Sequence, residues 1–350
     1  MANREVTKDV SDNIIAGAVL GSFWGCKEQR IIEAHASDKT KVTVNKGGYY
    51  IPILIGDNFF LIDTATHVSS VDDIDTGVVE AGKDYYVYAC DNSGSLVFKT
   101  SLATTYPDGF DADTSRKIGG FHTLCAAVGT ISGHTLTGYA QKDILPQSIW
   151  DLKHRARNQN NAGMVYDPKS RIWVDIYLAS GTGASTLSVN GGTISDTRDW
   201  MDFVDDGGAV GKRLLTDPEF QMIAAGSNEE TNIAGSADPV TTGGHSDTAG
   251  RRMISNIGCE DCCGAMWQWL HDQSYRSDGA DEAAHQAWAW QDLTGSKGSL
   301  YKQGTYGDVK LVAGGAWGLA AYAGSRSRHA YNYRWTTSTA IGARFASEPL

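Results

Sequence analysis

The 350-residue chain has few prolines and no long apolar run. Seven prolines stand against forty glycines, a composition that favours many tight turns and short strands and argues against collagen or disorder. No apolar stretch reaches the ~20 residues that a membrane-spanning helix needs, so the sequence predicts no membrane insertion. The apolar run 14–24 is too short and too late for a signal peptide. We therefore expect synthesis in the cytoplasm without an anchor.

Blocks of lysine or arginine are also missing. The formal net charge is −11, from 41 acidic and 30 basic residues. A nucleic-acid partner requires a basic face that neutralises phosphates, so the sequence predicts no nucleic-acid binding. An acidic surface of this kind mainly confers solubility.

The sequence lacks the common catalytic motifs. Its nine histidines form no H-E-x-x-H or H-x-x-x-H pair, and neither a G-x-S-x-G elbow nor a phosphate-binding loop occurs. Acidic turns at 108–113 and 205–207 could hold calcium, but Asp-Gly pairs are ordinary turn formers and solvated turns are favoured. We expect no catalytic residue and no cofactor.

The six cysteines are too unevenly spread to indicate a disulfide framework. Cys259, Cys262 and Cys263 include one C-x-x-C pair, which is half of a zinc ligand set. Because no second pair follows at zinc-finger spacing, buried free thiols are favoured and no metal site is predicted.

Short runs of β-branched and aromatic residues, separated by Gly, Asn and Asp turns, fill residues 41–138. Their regular spacing without intervening helices predicts a β-sandwich, which we place at 46–145. Residues 1–45 are too few to build a core of their own, so we expect them to pair with the same segment of sister subunits.

Two short helices are predicted downstream. Pro146 lies near the start of the first, over 146–155. Thr216 and Glu219 fit a capping box that opens the second, which Gly226 ends. The stretch 226–252 is almost all Gly, Ser, Thr, Asn, Ala and Asp, and a loop of this length is either mobile or an insertion that supports a binding face.

A segment of small, polar and aromatic residues, 311–345, lies near the end of the chain. It has no helical or strict strand period, which indicates a long ordered loop, and such loops usually carry function. Gly314 and Gly315 before Trp317 predict a tight turn that buries a ring. Residues 341–345 alternate apolar with small or charged residues and predict a closing strand.

Three motifs resemble one family. Residues 211–220 are similar to a G-K-R-L-P-T-E-A-E-W helix start, 264–269 are similar to a G-N-V-W-E-W strand, and 314–344 combine a G-G-x-W opening with an I-G-A-R close. These motifs resemble the C-type-lectin-like fold in the branch shared by formylglycine-generating enzymes and the variable proteins of diversity-generating retroelements. The resemblance implies an α+β, mainly β chain, in which a β-rich oligomerisation segment and a β-sandwich precede a C-type-lectin-like domain at 146–350.

Within that branch the chain resembles the major tropism determinants, the receptor-binding proteins of bacteriophage tail fibres. The resemblance implies a homotrimer at the fibre tip of the virion, which joins tail-fibre proteins through its N-terminal end and binds a protein or glycan on the host-cell surface. In that family a retroelement alters asparagine codons. Eight residues of the segment are of types that an altered asparagine codon can encode, and Asn332 would be an asparagine left unaltered. The candidate ligand-binding residues are Ala316, Gly318, Leu319, Tyr322, His329, Tyr331, Asn332, Thr336 and Ser338. The candidate residues that support the loop are Trp317, Arg326, Arg328, Tyr333, Arg334 and Trp335.

Two alternatives remain open from the sequence. A fixed lectin-like adhesin or fibre module would have the same fold without a diversified loop. A formylglycine-generating oxidase would need a pair of copper-binding cysteines in its C-terminal part, whereas the last cysteine here is Cys263 and residues 325–334 contain none. We therefore predict that the chain is not an enzyme.

Overall fold

The computed structural model describes residues 30–275, 288–292, 299–303 and 308–350. This part of the chain is mainly β, with two α-helices, which confirms the predicted fold class. It forms two compact units. The N-terminal unit contains the described residues up to 124 together with Lys142–Arg155, and the C-terminal unit contains Cys125–Gln141 together with the described residues from 156 onward.

The N-terminal unit is built entirely of short strands and turns within its described residues. Its strands are β1 (Ile32–Ala34), β2 (Lys41–Val44), β3 (Ile51–Ile55), β4 (Asn58–Ile62), β5 (Thr66–Ser69), β6 (Asp84–Asn92), β7 (Ser95–Ser101), β8 (Ser115–His122) and β9 (Trp150–Asp151). They form the sheets β1-β2-β5, β3-β4 and β7-β6-β8-β9. Tyr85 and Phe121 lie opposite each other on β6 and β8, and their rings stack with centroids 5.8 Å apart. The inward-facing β-branched and aromatic residues form one core cluster.

Residues 1–29, most of the expected attachment segment, lie outside the described residues. β2 ends at Val44 and pairs with β5. The division of the chain at 45 and 145 stays a prediction.

The helix predicted over 146–155 is wrong beyond its first turn. Only Pro146–Ser148 are helical, in a 3₁₀ turn, and the chain then enters β9. The cause is the buried carboxylate of Asp151, which accepts hydrogen bonds from the backbone N–H groups of Ile31 (2.7 Å) and His154 (2.9 Å). The bond from Ile31 ties the segment to backbone 120 residues earlier in the chain, whereas the bond from His154, three residues away, closes a local turn.

The C-terminal unit combines two four-stranded sheets with two helices and a hairpin. Its strands are β10 (Met164–Asp167), β11 (Ile172–Asp175), β12 (Arg213–Leu214), β13 (Trp267–Tyr275), β14 (Trp288–Asp292), β15 (Ser299–Gln303), β16 (Asp308–Gly314), β17 (Gly324–His329), β18 (Ile341–Gly342) and β19 (Phe345–Ser347). Helix α1 is Trp200–Ala209 and helix α2 is Asp217–Ile223. The sheets are β10-β11-β19-β12 and β17-β16-β13-β18, and β14 pairs with β15.

The predicted capping box at the start of α2 is confirmed. Glu219 accepts a hydrogen bond from the backbone N–H of Thr216 at 2.8 Å, and Arg213 holds both oxygens of the same carboxylate at 2.8 and 2.7 Å. Burial by itself would raise the pKa of Glu219, but these donors outweigh it, so its pKa is lowered. The helix is therefore fixed at its N-terminus, where the loop described below is attached.

The cysteines of the C-x-x-C cluster are buried and free, as predicted. In the described residues no three His, Cys, Asp or Glu side chains gather where a metal ion could bind. Across the same ranges, no helix has the length and apolar character to cross a bilayer.

Candidate ligand-binding face

The segment 311–345 leaves the sheet at a tight turn, as predicted. Gly314 and Gly315 both have a φ of +93°, which residues with a side chain rarely adopt. A Cβ atom on Gly314 would lie 2.3 Å from the carbonyl oxygen of Cys262, and one on Gly315 would lie 2.8 Å from Cα of Ala323. Both positions therefore require glycine for conformation and for space.

After the turn, part of the expected loop is a strand. Ala320–Tyr322 form a 3₁₀ turn, and β17 then returns antiparallel to β16, with Val312 opposite His329 and Ala313 opposite Arg328. β17 is an edge strand whose residues are mostly half-buried or exposed. The usual apolar alternation of a strand is absent for this reason, and its period could not be recognised.

Trp317 anchors the first half of the segment. Its ring is half-buried, and its carbonyl oxygen accepts a hydrogen bond from the side-chain amide of Asn232. The ring packs against two small clusters, whose members are Leu178, Ile194 and Met266, and Ile233, Met253 and Ala265. The predicted burial of a ring behind the glycine turn is thus partly realised.

Arg328 joins β17 to helix α2. Its guanidinium pairs with the carboxylate of Asp217 and lies 5.0 Å above the ring of Phe220. The same group donates hydrogen bonds to the carbonyl oxygens of Ser325 (3.0 Å) and Ser327 (2.9 Å). One side chain therefore fixes the path of β17 and its position relative to α2.

Aromatic and cationic contacts hold the second half. Tyr333 and Trp335 stack almost parallel, with ring centroids 5.1 Å apart and an interplanar angle of 7°. The guanidinium of Arg334 lies 5.8 Å from the ring centroid of Trp200, whose backbone N–H donates to the carbonyl of Arg334 at 3.0 Å. Beyond them, the carbonyl of Ser338 accepts from the backbone N–H of Thr197.

The start of the 226–252 stretch supports the segment directly. Glu229 accepts hydrogen bonds from the backbone N–H (3.0 Å) and the hydroxyl of Ser325, and the backbone N–H of Glu230 donates to the carbonyl of Ala323 at 2.8 Å. With Asn232 on the Trp317 carbonyl, three neighbouring residues brace the segment. Sequence reasoning did not identify Glu229, because it lies in a stretch whose composition gives no pattern.

The close of the segment is fixed by a buried arginine. Arg344 is fully buried and donates hydrogen bonds to the carbonyl oxygens of Asp175 (2.7 Å), Ile176 and Glu260 and to the side-chain oxygen of Gln268 (3.2 Å). The I-G-A-R motif indicates a closing strand but does not indicate where its arginine points.

The nine candidate ligand-binding residues differ in exposure. Gly318, Tyr322, His329 and Tyr331 are exposed, with Tyr322 at 78% and Tyr331 at 54%. Leu319, Thr336 and Ser338 are half-buried, and Ala316 and Asn332 are buried. Among the candidate support residues Arg326 is exposed, and Trp317, Arg328, Tyr333, Arg334 and Trp335 are half-buried.

The structure brings several of the nine together. His329 lies between two rings, with its centroid 5.7 Å from Tyr331 and 5.6 Å from Trp267. Asn332 contacts His329, at 3.3 Å between the amide nitrogen and Nδ1, and its carbonyl accepts from the backbone N–H of Lys310. Trp267 was not singled out from the sequence, where it is one residue of a strand motif. We name the exposed residues Gly318, Tyr322, His329 and Tyr331 the loop face.

The described chain, mainly β with two helices, matches solved structures that have a C-type-lectin-like fold, so it is a protein of that fold class. Residues 33–151 match the family model of the Mtd second domain. The chain is 26% identical, over 377 aligned positions, to a tail fiber receptor-binding protein of Bordetella phage BPP-1, with 100% of this chain and 94% of that protein covered.

Three solved structures share the fold. The U1 variant of the Major Tropism Determinant matches with a TM-score of 0.75 at 23% identity and covers 93% of this chain and 85% of its own. The M1 variant gives 0.74 at 24% identity with 93% and 84% covered, and the I1 variant gives 0.75 at 24% identity with 93% and 85% covered. The chain therefore has the fold of these Major Tropism Determinant structures.

Proposed function

We propose that the chain is a phage tail-fibre protein that determines host range by binding a host-cell surface receptor through its loop face. The full-length likeness to a tail fiber receptor-binding protein supports the class of function. The observation that carries the assignment of the site is the contrast between the exposed rings of Tyr322 and Tyr331 and the braced backbone beneath them. The nine candidate residues remain a proposal as a set.

The geometry suits binding because the frame is ordered before a ligand arrives. Ordering a flexible segment on binding costs free energy for each immobilised side chain, and a pre-organised segment avoids that cost. Exposed tyrosines supply rigid amphipathic contact area, and neighbouring small polar residues supply adaptable hydrogen bonds. Arg328, Glu229 and Arg344 perform the ordering without belonging to the loop face.

The partners follow from the same proposal. The receptor is a protein or glycan on a bacterial surface, and the virion is the site of action. A single small face binds weakly, so we propose a homotrimer whose copies act together and raise the avidity. The N-terminal end would join other tail-fibre proteins. Light scattering that gives the mass of a single chain at micromolar concentration would contradict the trimer.

We also propose that the chain has no enzymatic activity. The similar protein of Bordetella phage BPP-1 is a receptor-binding protein by name. The oxidase alternative is disfavoured because residues 325–334, which would carry its copper ligands, contain no cysteine.

Replacing Tyr322 with alanine is expected to weaken binding of the purified protein to susceptible bacterial cells by about tenfold or more, since exposed tyrosines at the centre of an interface often contribute ~1.4 kcal/mol or more. The measurement is a cell-binding titration with fluorescently labelled protein. Tyr106→Ala is the matched control, because Tyr106 is also exposed (46%) but lies in the N-terminal unit. Equal binding by both variants would remove Tyr322 from the site.

Diversification of the loop is tested on DNA. We expect a near-copy of the codons for residues 311–345 close to the gene, beside a reverse transcriptase gene, with differences only where the copy has adenine. If the locus has no such repeat, the chain is a fixed lectin-like adhesin or fibre module. The reason for grouping the nine residues as one binding site would then be removed.

A further inference from the structure

The hairpin β3–β4 in the N-terminal unit is apolar on both of its faces. Side chains alternate between faces along a strand, and residues opposite each other in an antiparallel pair share a face. The register pairs Pro52 with Leu61 and Leu54 with Phe59, so these four share one face. The other face carries Ile51, Ile53, Ile55 and Ile62, all buried at 5% exposure or less. Those isoleucines belong to the core of the unit.

The face with Pro52, Leu54, Phe59 and Leu61, here called the outer face, is open to solvent in the single chain. Leu54 is 51% exposed, Phe59 53% and Leu61 44%. Tyr49 and Tyr50, directly before the hairpin, are 49% and 64% exposed. When one side of an antiparallel sheet faces water, that side normally carries polar residues. The outer face carries apolar residues instead, which indicates that another surface covers it.

The hairpin is held in place, so its exposure is a property of the fold. Gly56 has a φ of +54° in the two-residue turn, and a Cβ atom there would lie 2.3 Å from the carbonyl oxygen of Asp113. Arg116 donates to the carbonyl of Leu54 at 3.2 Å, and Asn58 donates to the carboxylate of Asp91 at 2.7 Å. The outer face is thus presented in a fixed shape.

Beside the hairpin lies an apolar groove of about 340 Å³, lined by residues that include Leu54, Phe59, Ile118 and Leu152. In the described residues β3 and β4 pair only with each other, and residues 51–54 of β3 line this groove. A neighbouring protein could therefore insert a side chain into the groove and at the same time pack against the large side chains beside it.

We infer that the outer face packs against another copy of this chain, which rests on the homotrimer proposed above. The exposed parts of Tyr49, Tyr50, Leu54, Phe59 and Leu61 together amount to about 500 Å² of mainly apolar surface, which is at the upper end for one patch on a monomer. Doubled across an interface, this reaches the roughly 1,000 Å² that a specific interface needs.

Composition selects a second copy over a transient partner. Residues 49–62 contain one charged residue, Asp57. Permanent homo-oligomer interfaces are more apolar than transient ones, which resemble the general protein surface. The loop face, by contrast, mixes tyrosine with histidine and glycine. The chain therefore presents a permanent interface at the hairpin and an adaptable one at the loop face.

The first experiment is the mass of the full chain by light scattering, for the parent protein and for the double variant Leu54→Asp/Phe59→Asp. We expect the parent to have the mass of three chains and the double variant to fall to that of one, with unchanged circular dichroism. Val78→Asp is the control, because Val78 is 75% exposed in the same unit but lies outside the hairpin. A folded double variant that keeps the parent's mass overturns the inference and leaves the trimer intact. A parent of single-chain mass overturns both.

A second measurement does not depend on how the double variant folds. Phe59→Cys and Val78→Cys are labelled with a maleimide under native conditions, and labelling of the parent is subtracted. We expect at least tenfold slower labelling at residue 59 than at residue 78 in the oligomer. Equal rates would show that the outer face is open and overturn the inference. Slow labelling at residue 59 in a protein of single-chain mass would also overturn it, because the cover would then come from the same chain.

Discussion

Replacement of Arg344 by methionine is expected to destabilise the C-terminal unit by about 3–5 kcal/mol, the usual cost of removing one partner from a buried charged network. Methionine has a similar length but donates no hydrogen bond. The carbonyl oxygens of Asp175 and Glu260 would stay buried and lose their partner. A buried carbonyl oxygen that has lost its hydrogen-bond donor carries the full free-energy cost of its removal from water.

The measurement is urea unfolding followed by tryptophan fluorescence. All tryptophans except Trp24 and Trp150 lie in the C-terminal unit, so this signal reports mainly on that unit. Arg326→Met is the matched control, because it removes an exposed arginine from the same segment and should change stability little. Arg344→Lys should fall between them, since it keeps the charge without the planar fork of donors. Equal midpoints for Arg344→Met and Arg326→Met would contradict the role assigned to the buried contacts.

Short sequence motifs correctly predicted the turns and helix starts that are determined by residues close together in the chain. Gly314 and Gly315 indicated the turn, because few other residues tolerate positive φ, and the structure gives both a φ of +93°. The capping box at α2 was predicted from Thr216 and Glu219 for the same kind of reason. In both cases the residues that cause the feature are close neighbours in the chain.

Features that depend on distant residues could not be derived in this way. Asp151 ends a predicted helix because it binds the backbone of Ile31, more than a hundred residues earlier. β17 is a strand because β16 lies beside it, and its own sequence shows no alternation. The C-type-lectin-like fold was predicted correctly only because several motifs together resembled a family.

The candidate site was predictable as a segment and less so residue by residue. The diversification pattern of the family selects positions without regard to burial, so the buried Ala316 and Asn332 were named together with the exposed Tyr322. Glu229 lies outside the segment and contacts it only in the folded chain. Its role in bracing the loop is a consequence of tertiary structure.

Replacement of Arg328 by methionine is expected to weaken binding to susceptible bacterial cells at least tenfold while the protein stays folded. Arg328 is not assigned to the loop face, and its guanidinium holds the carbonyls of Ser325 and Ser327 and the carboxylate of Asp217. Without it, β17 and the exposed residues that follow would have to become ordered on binding, and tenfold corresponds to about 1.4 kcal/mol. The effect on stability should be smaller, because the pair with Asp217 is partly exposed.

Asp217→Asn separates positioning from direct contact. Asp217 lies in the first turn of α2, and its loss removes the same ion pair from the opposite side without altering the segment. If Arg328 acts by positioning the loop face, Asp217→Asn should also weaken cell binding. Arg326→Met leaves this ion pair intact and should not weaken binding through it. Normal binding by Asp217→Asn together with loss in Arg328→Met would mean that the ion pair is dispensable for binding. Arg328 would then act either through its hydrogen bonds to the carbonyls of Ser325 and Ser327 or by touching the receptor itself. In the second case the loop face would extend along β17 and include a residue that also supports the strand.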